Sequence, residues 1–193
     1  MVTPKIICLN GTSSAGKTAI AKQLQEKLLP TVYLNFSIDS ILYTLPPSAL
    51  YRMTHGQEIS DLNYPQLVRS FNDCVTRLVE MGHFLVIDNA MDRTEQVVDL
   101  LDRVQPYTIL LVGVHCSLDE LNRRERQRQD RTIGEAAAQF NRVHRGFIYD
   151  IEVDSSAKGA SELAGEIMEY IKRVDVLRGR DKTMAHIQAL SRE

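Results

Sequence analysis

The sequence is poor in the features that mark several large classes of protein. Only three of its 193 residues are cysteines, Cys8, Cys74 and Cys116, and no two stand as CxxC. An odd number at wide spacing argues against a disulfide framework or a structural zinc site, and makes a reducing cytoplasm the expected compartment. The five histidines, at 55, 83, 115, 144 and 186, form no HxH or HxxxH pair, so a zinc site built from histidine alone has no support. No apolar run approaches the ~18 residues that span a membrane. The first run, Ile6 to Leu9, is too short for the apolar core of a signal peptide. An excess of one charge is also missing: 23 Lys and Arg against 25 Asp and Glu leave −2. That balance argues against bulk nucleic acid or an anionic membrane as the main partner. There is no internal repeat and no low-complexity linker.

What is present is ordinary globular material, 44% hydrophobic and 25% charged, long enough for one domain with a full core. Apolar runs alternate with amphipathic stretches. Runs at 5–10, 32–36, 84–87, 107–114 and 149–153 read as strands. Ile20, Ala21, Leu24 and Leu28 recur at helical spacing, as do Leu67, Phe71, Val75, Leu78 and Val79, then Val97, Val98, Leu101 and Val104, and finally Leu163, Ile167, Met168 and Ile171. Strands alternating with helices imply right-handed crossovers and a mostly parallel sheet covered on both faces. Residues 46–63, weakly periodic, read as a loop or mobile insertion. The expected organisation is one domain over 1–173, a lid at about 120–135, and a polar C-terminal tail over 174–193 with a short helix near 183–190.

Chemistry enters at Gly11-Thr12-Ser13-Ser14-Ala15-Gly16-Lys17-Thr18, which matches G-x-x-x-x-G-K-[ST]. Glycines let successive N–H groups turn inward around phosphate oxygens, while the lysine reaches the β- and γ-phosphates and the hydroxyl serves Mg²⁺. The helix that follows points its positive end at the same anion. The alternative is an ordinary glycine-bearing turn. A chance match in a chain this long is roughly a one-in-a-hundred event, and here the motif also follows a strand and opens a helix. Asp88 closes the apolar run Phe84–Ile87, where a carboxylate can hold Mg²⁺ or its water.

Two further features have competing readings. Asp39 follows the second strand; there it can take the proton of an acceptor hydroxyl, or it can cap a helix starting at Ser40. Arg123, Arg124, Arg126, Arg128 and Arg131 crowd into nine residues, and on a helix Arg124, Arg128 and Arg131 share a face. They can spread the charge of a transferring phosphoryl group, or lace a solvated helix through pairs such as Glu120–Arg124. Cys8 and Cys116 read as core packing, and His144 has no partner visible in the sequence.

These motifs together resemble the chloramphenicol phosphotransferase family of P-loop kinases. The stretch 7–18 is similar to its apolar-L-N-G-x-S-S-A-G-K-[ST] opening, and 36–40 to its F-x-x-D-S segment. Residues 124–131 resemble its R-E-x-x-R-x-D-R lid, and 143–156 its V-H-x-G-x-x-Y-D-x-E-V-D segment. The resemblance implies a three-layer α/β P-loop NTPase fold, adenylate-kinase-like, with a five-stranded parallel sheet. It implies ATP and Mg²⁺, a small-molecule hydroxyl as acceptor, Asp39 as base, and Arg128 and Arg131 near the phosphates. The family's Asp-Asp at the third strand is Asp88-Asn89 here, and residues 44–66 show little resemblance.

The expected activity is ATP-dependent phosphorylation of a small-molecule hydroxyl. A toxin-type kinase of a nucleotide sugar would use the same loop, base and lid. A non-catalytic ATP-sensing module would need only the loop; a guanine-specific switch would carry N-K-x-D, which is absent. An oligonucleotide 5′-kinase would want a basic acceptor groove, for which the net charge gives no support.

Overall fold

Five strands form one parallel sheet in the order β2-β3-β1-β4-β5. They are β1 (Ile6–Asn10), β2 (Tyr33–Phe36), β3 (Phe84–Asn89), β4 (Ile109–His115) and β5 (Ile151–Asp154). The protein is described here from a computed structural model, which places residues 2–57, 59–60, 62–127 and 134–190. The helices are α1 (Lys17–Lys27), α2 (Ile38–Leu42), α3 (Pro47–Thr54), α4 (Tyr64–Glu80), α5 (Thr94–Arg103), α6 (Leu118–Gln127), α7 (Glu135–Phe140), α8 (Ala160–Arg173) and α9 (Gly179–Leu190).

The sheet is the middle of three layers because its central strands are apolar on both faces. Along β1, Ile7 and Leu9 face one core, shared with Ile20 and Leu24 of α1 and Leu163 and Ile167 of α8. Ile6 and Cys8 face the other, shared with Phe71 and Val75 of α4 and Leu100 of α5. That alternation is the period-two geometry of a strand. It explains why 84–87 and 107–114 read as unbroken apolar runs: a strand sandwiched between helix layers has no solvent face. Burial pushes the Cys8 thiol up to about 12, so it is a packing group.

The register places the chemistry. β1 pairs with β3 so that Leu9 lies opposite Asp88 and Asn10 opposite Asn89. The loop leaving β1 therefore emerges beside the carboxyl end of β3, at the edge where open parallel sheets bind ligands.

Two segments differ from their sequence reading. Residues 46–63 are not simply a loop: α3 starts with Pro47 at its first position, where a missing N–H costs nothing. It buries no residue fully, and that is why no periodicity betrays it. Over 174–190 the expected short helix near 183–190 is present and longer. α9 begins four residues earlier than expected and puts Met184 and Ile187 into the core under β4. Asp150 holds its start, accepting from the N–H groups of Arg178 and Gly179 through Oδ1 and from Leu111 N–H through Oδ2. Thr183, fully buried, donates to Ile148 O and accepts from Ile148 N–H. Polar side chains that serve buried backbone look like surface residues in a hydropathy pattern.

Ile187→Ala is expected to destabilise the fold by about 2–4 kcal/mol, the usual loss for a truncated core side chain. Urea unfolding checks it; a loose tail would leave the midpoint unchanged.

Candidate active site

The loop between β1 and α1 is shaped by what it cannot hold. A Cβ on Gly11 would lie 2.4 Å from the Val114 carbonyl oxygen, so only glycine lets the chain turn there. Gly16 takes φ 84°, and Ser14, not a glycine, takes φ 63°, a left-handed conformation costing about 1–2 kcal/mol. Ala15 N–H closes the turn on Thr12 O at 3.2 Å. Thr12, Ser13, Ser14 and Ala15 are buried, and the hydroxyls of Ser13 and Ser14 have no hydrogen-bond partner among the described residues. Buried hydroxyls normally find one. Lys17 arches back over the loop, its Nζ donating to Gly11 O at 2.8 Å and Thr12 O at 2.7 Å.

Thr18 stands in the first turn of α1 and donates its hydroxyl proton to Asp88 Oδ2 at 2.6 Å. Asp88 Oδ1 is buried without a partner. Burial raises the Asp88 pKa above the usual carboxylate range; the Thr18 hydrogen bond and the Lys17 charge oppose this, and the Asp39 charge adds to it.

Asp39 lies in α2, but not as its cap. Ser37 is the N-cap and forms a capping box with Ser40, so Asp39 is the second residue of the helix. The capping alternative is thereby excluded, and Asp39 lines the cleft with Lys17, Thr18 and Asp88. That cleft has a volume of about 1190 Å³ and runs from the loop to α3 and the start of α4. Asn89 Oδ1 accepts from Ile38 N–H at 2.9 Å and fastens α2 to the end of β3. Tyr64 reports the electrostatics of the far end. Burial raises its pKa, and the charges of Asp39, Asp92 and Glu135 raise it further.

Arg124 combines both readings of the arginine run. Its Nε donates to Glu120 Oε1 at 2.7 Å, as in a solvated helix. Its other end donates to Ser14 O at 3.4 Å, within the phosphate loop, and to Ser155 O at 2.5 Å. Arg128 and Arg131 lie outside the described residues.

Three arrangements escape the sequence. Glu125, fully buried, accepts from Gly134 N–H at 2.7 Å and Ala136 N–H at 3.0 Å, so its carboxylate caps α7. It sits among arginines, where a glutamate reads as one more surface charge. Gln139 of α7 accepts from Ser13 N–H at 2.7 Å and ties α7 to the loop. Asn10, the last residue of β1, donates through Nδ2 to Val143 O at 2.7 Å and to the Tyr149 hydroxyl oxygen at 2.8 Å, and accepts from Met91 N–H at 2.9 Å. The Tyr149 hydroxyl also pairs with His144 Nδ1, 2.7 Å away. His144 stacks on His115 with centroids 4.0 Å apart. Burial, then the His115 and Lys17 charges, bring its pKa down to about 4. Its partners are thus a tyrosine and a second imidazole, invisible as a linear pattern.

A family comparison decides the assignment. The model of the family described as "Chloramphenicol phosphotransferase-like protein" matches residues 4–172. The chain belongs to this family. A Mycobacterium tuberculosis (strain H37Rv) relative named "Putative O-phosphotransferase" is 31% identical over 183 residues, covering 86% of this chain and 81% of the relative. Among solved structures, an unliganded sugar kinase from Janibacter has a TM-score of 0.66 at 15% identity, covering 88% of this chain and 95% of that one. The M. tuberculosis APS kinase in complex with AMPPNP and APS has a TM-score of 0.64 at 16% identity, covering 88% and 98%. The fold is that of the P-loop kinases, and the family member is a phosphotransferase, a kinase. Among the described residues no helix is long and apolar enough to cross a membrane.

The raised Asp88 pKa makes a prediction about stability. An unfolded aspartate titrates near 3.9; folded Asp88 keeps its proton to higher pH, so above that value the folded state binds more protons than the unfolded one. Stability linked to Asp88 therefore falls as pH rises through the folded pKa. Asp88→Asn is expected to raise the Tm of the ligand-free protein at pH 7, with the gain shrinking toward pH 4. Thermal melts across that range check both the sign and the trend.

Proposed function

We propose that this kinase moves the γ-phosphoryl of ATP to a hydroxyl of a small molecule, in the manner of a chloramphenicol 3-O-phosphotransferase. The observation that carries the reading is the single cleft into which the phosphate loop, the Thr18–Asp88 pair and Asp39 all open. A sensing module needs the first two; a carboxylate across the cleft from the loop has no use in it.

The residues present fit ATP and Mg²⁺. Asp88 Oδ1 and the Ser13 and Ser14 hydroxyls are buried polar atoms left without partners, at the places a cation and phosphate oxygens would satisfy. Mg²⁺, when bound, would be held by Thr18 and Asp88 and would neutralise charge on the β- and γ-phosphates. Gly11, Thr12, Ser13, Ser14, Ala15 and Gly16 supply the loop that cradles the phosphates. Lys17 exchanges its two loop carbonyls for phosphate oxygens, and Arg124 flanks the nucleotide from α6.

The reaction is an in-line displacement. The acceptor oxygen bonds to the γ-phosphorus, the bond from that phosphorus to the β–γ bridging oxygen breaks, and ADP leaves. Asp39 orients the hydroxyl and takes its proton. Phosphoryl-transfer transition states are loose, so positioning and charge do most of the catalysis. Lid arginines Arg128 and Arg131 would stabilise that charge. The acceptor occupies the end of the cleft lined by Leu42, Met53, Ile59, Leu62 and Tyr64, an apolar wall suited to a drug-sized or metabolite-sized molecule.

A screen of hydroxyl-bearing metabolites and chloramphenicol with γ-labelled ATP tests the function. Turnover should require an acceptor and vanish in Lys17→Ala; wild-type turnover in that variant overturns the kinase mechanism. Asp39→Asn should lower acceptor phosphorylation by ~10²–10⁴ and leave the thermal shift given by ATP with Mg²⁺ nearly unchanged. Near-normal kcat in that variant would require a different base.

A further inference from the structure

Asn89 holds α2 in place with one atom and leaves the other unused. Its Oδ1 must be the atom facing Ile38, because Ile38 presents an N–H. Its Nδ2 is then the other end and meets no acceptor among the described residues. Asn89 is only 8% exposed, yet it lines the cleft beside Asp39 and Asp88. An amide donor without a protein partner, on a side chain that lines the cleft, is available to a bound molecule. The residue it fastens, Ile38, is the neighbour of Asp39. Asn89 and Asp39 are therefore close together on the wall of the cleft.

We propose that Asn89 is a specificity residue: its Nδ2 donates to a second oxygen of the acceptor, a hydroxyl, ether or carbonyl oxygen within a few bonds of the hydroxyl that Asp39 engages. The inference rests on the acceptor reading above and narrows it from alcohols in general to diols and hydroxy-carbonyl compounds. A lone alcohol makes one hydrogen bond fewer to the site and so binds less well. A carboxylate at position 89 would repel an ether or carbonyl oxygen at that place.

Asn89→Asp separates the two atoms. It keeps an oxygen for Ile38 N–H and removes the donor, whereas Asn89→Leu removes both. The probes are matched pairs that differ by one oxygen able only to accept: 2-methoxyethanol and butan-1-ol, hydroxyacetone and propan-1-ol, tetrahydrofurfuryl alcohol and cyclopentylmethanol. In each pair turned over, wild-type protein should prefer the more oxygenated member by at least ~10-fold in kcat/KM. Asn89→Asp should reduce that preference to within about threefold, while Tm and the shift given by ATP with Mg²⁺ stay near wild type. If Asn89 were only an anchor, Asn89→Asp would keep the preference and only Asn89→Leu would lose activity; that result overturns the proposal. So does wild-type protein that phosphorylates both members of every pair equally, an outcome that leaves the kinase reading intact. A thermal shift with ATP but no phosphorylation of any probe fails the acceptor reading, and the role of Asn89 falls with it.

Discussion

The pairing of β1 with β3 is the constraint on which the site depends. Because Leu9 lies opposite Asp88, the first glycine of the loop emerges just past a carboxylate, and Thr18 one helical turn later meets it at 2.6 Å. A slip of one residue would turn Asp88 into the helix layer and present Ile87 to the loop. The register is fixed by packing far from the chemistry, since both faces of both strands are buried. The apolar cores under α1 and α4 thus position a polar pair that contributes nothing to them.

The site runs against the preferences of the fold that carries it. Asp88 is ionisable and buried with one oxygen unsatisfied, Ser14 sits in a left-handed conformation, and two loop hydroxyls lack partners. Each lowers the stability of the ligand-free protein, and each is the kind of local inconsistency that functional sites keep. The supporting shell has the opposite character. Asn10, Glu125 and Asp150 each use their polar atoms on backbone groups, and together they fix β1, α7 and α9.

The sequence discloses the part of this arrangement that is local. A strand, a glycine-framed loop and a helix lie within about twenty residues, so Gly11 to Thr18 can be read directly. Asp88 is legible because strand ends beside such a loop carry carboxylates. Asp39 stays ambiguous in sequence because Asp is both a base and a good cap; only the Ser37–Ser40 box separates the two. Hydropathy mislays α3, which buries nothing fully, and the first turn of α9, next to a buried Thr183 that looks solvent-bound. Glu125, Gln139 and the Asn10–Tyr149–His144 chain stay hidden for another reason. Their meaning lies in partners up to 139 residues away, and no spacing rule connects them.

Asn10 has a consequence for recombination between relatives. Its amide gives both donor bonds to Val143 and Tyr149 and takes one from Met91, so neither isostere serves: Asp lacks the donors, Leu lacks everything. Position 10 and the segment around 143–149 therefore form a single unit of inheritance, although most of the chain separates them. A chimera that takes its first strand from one homologue and residues 143–149 from another would break at this amide wherever the two differ there.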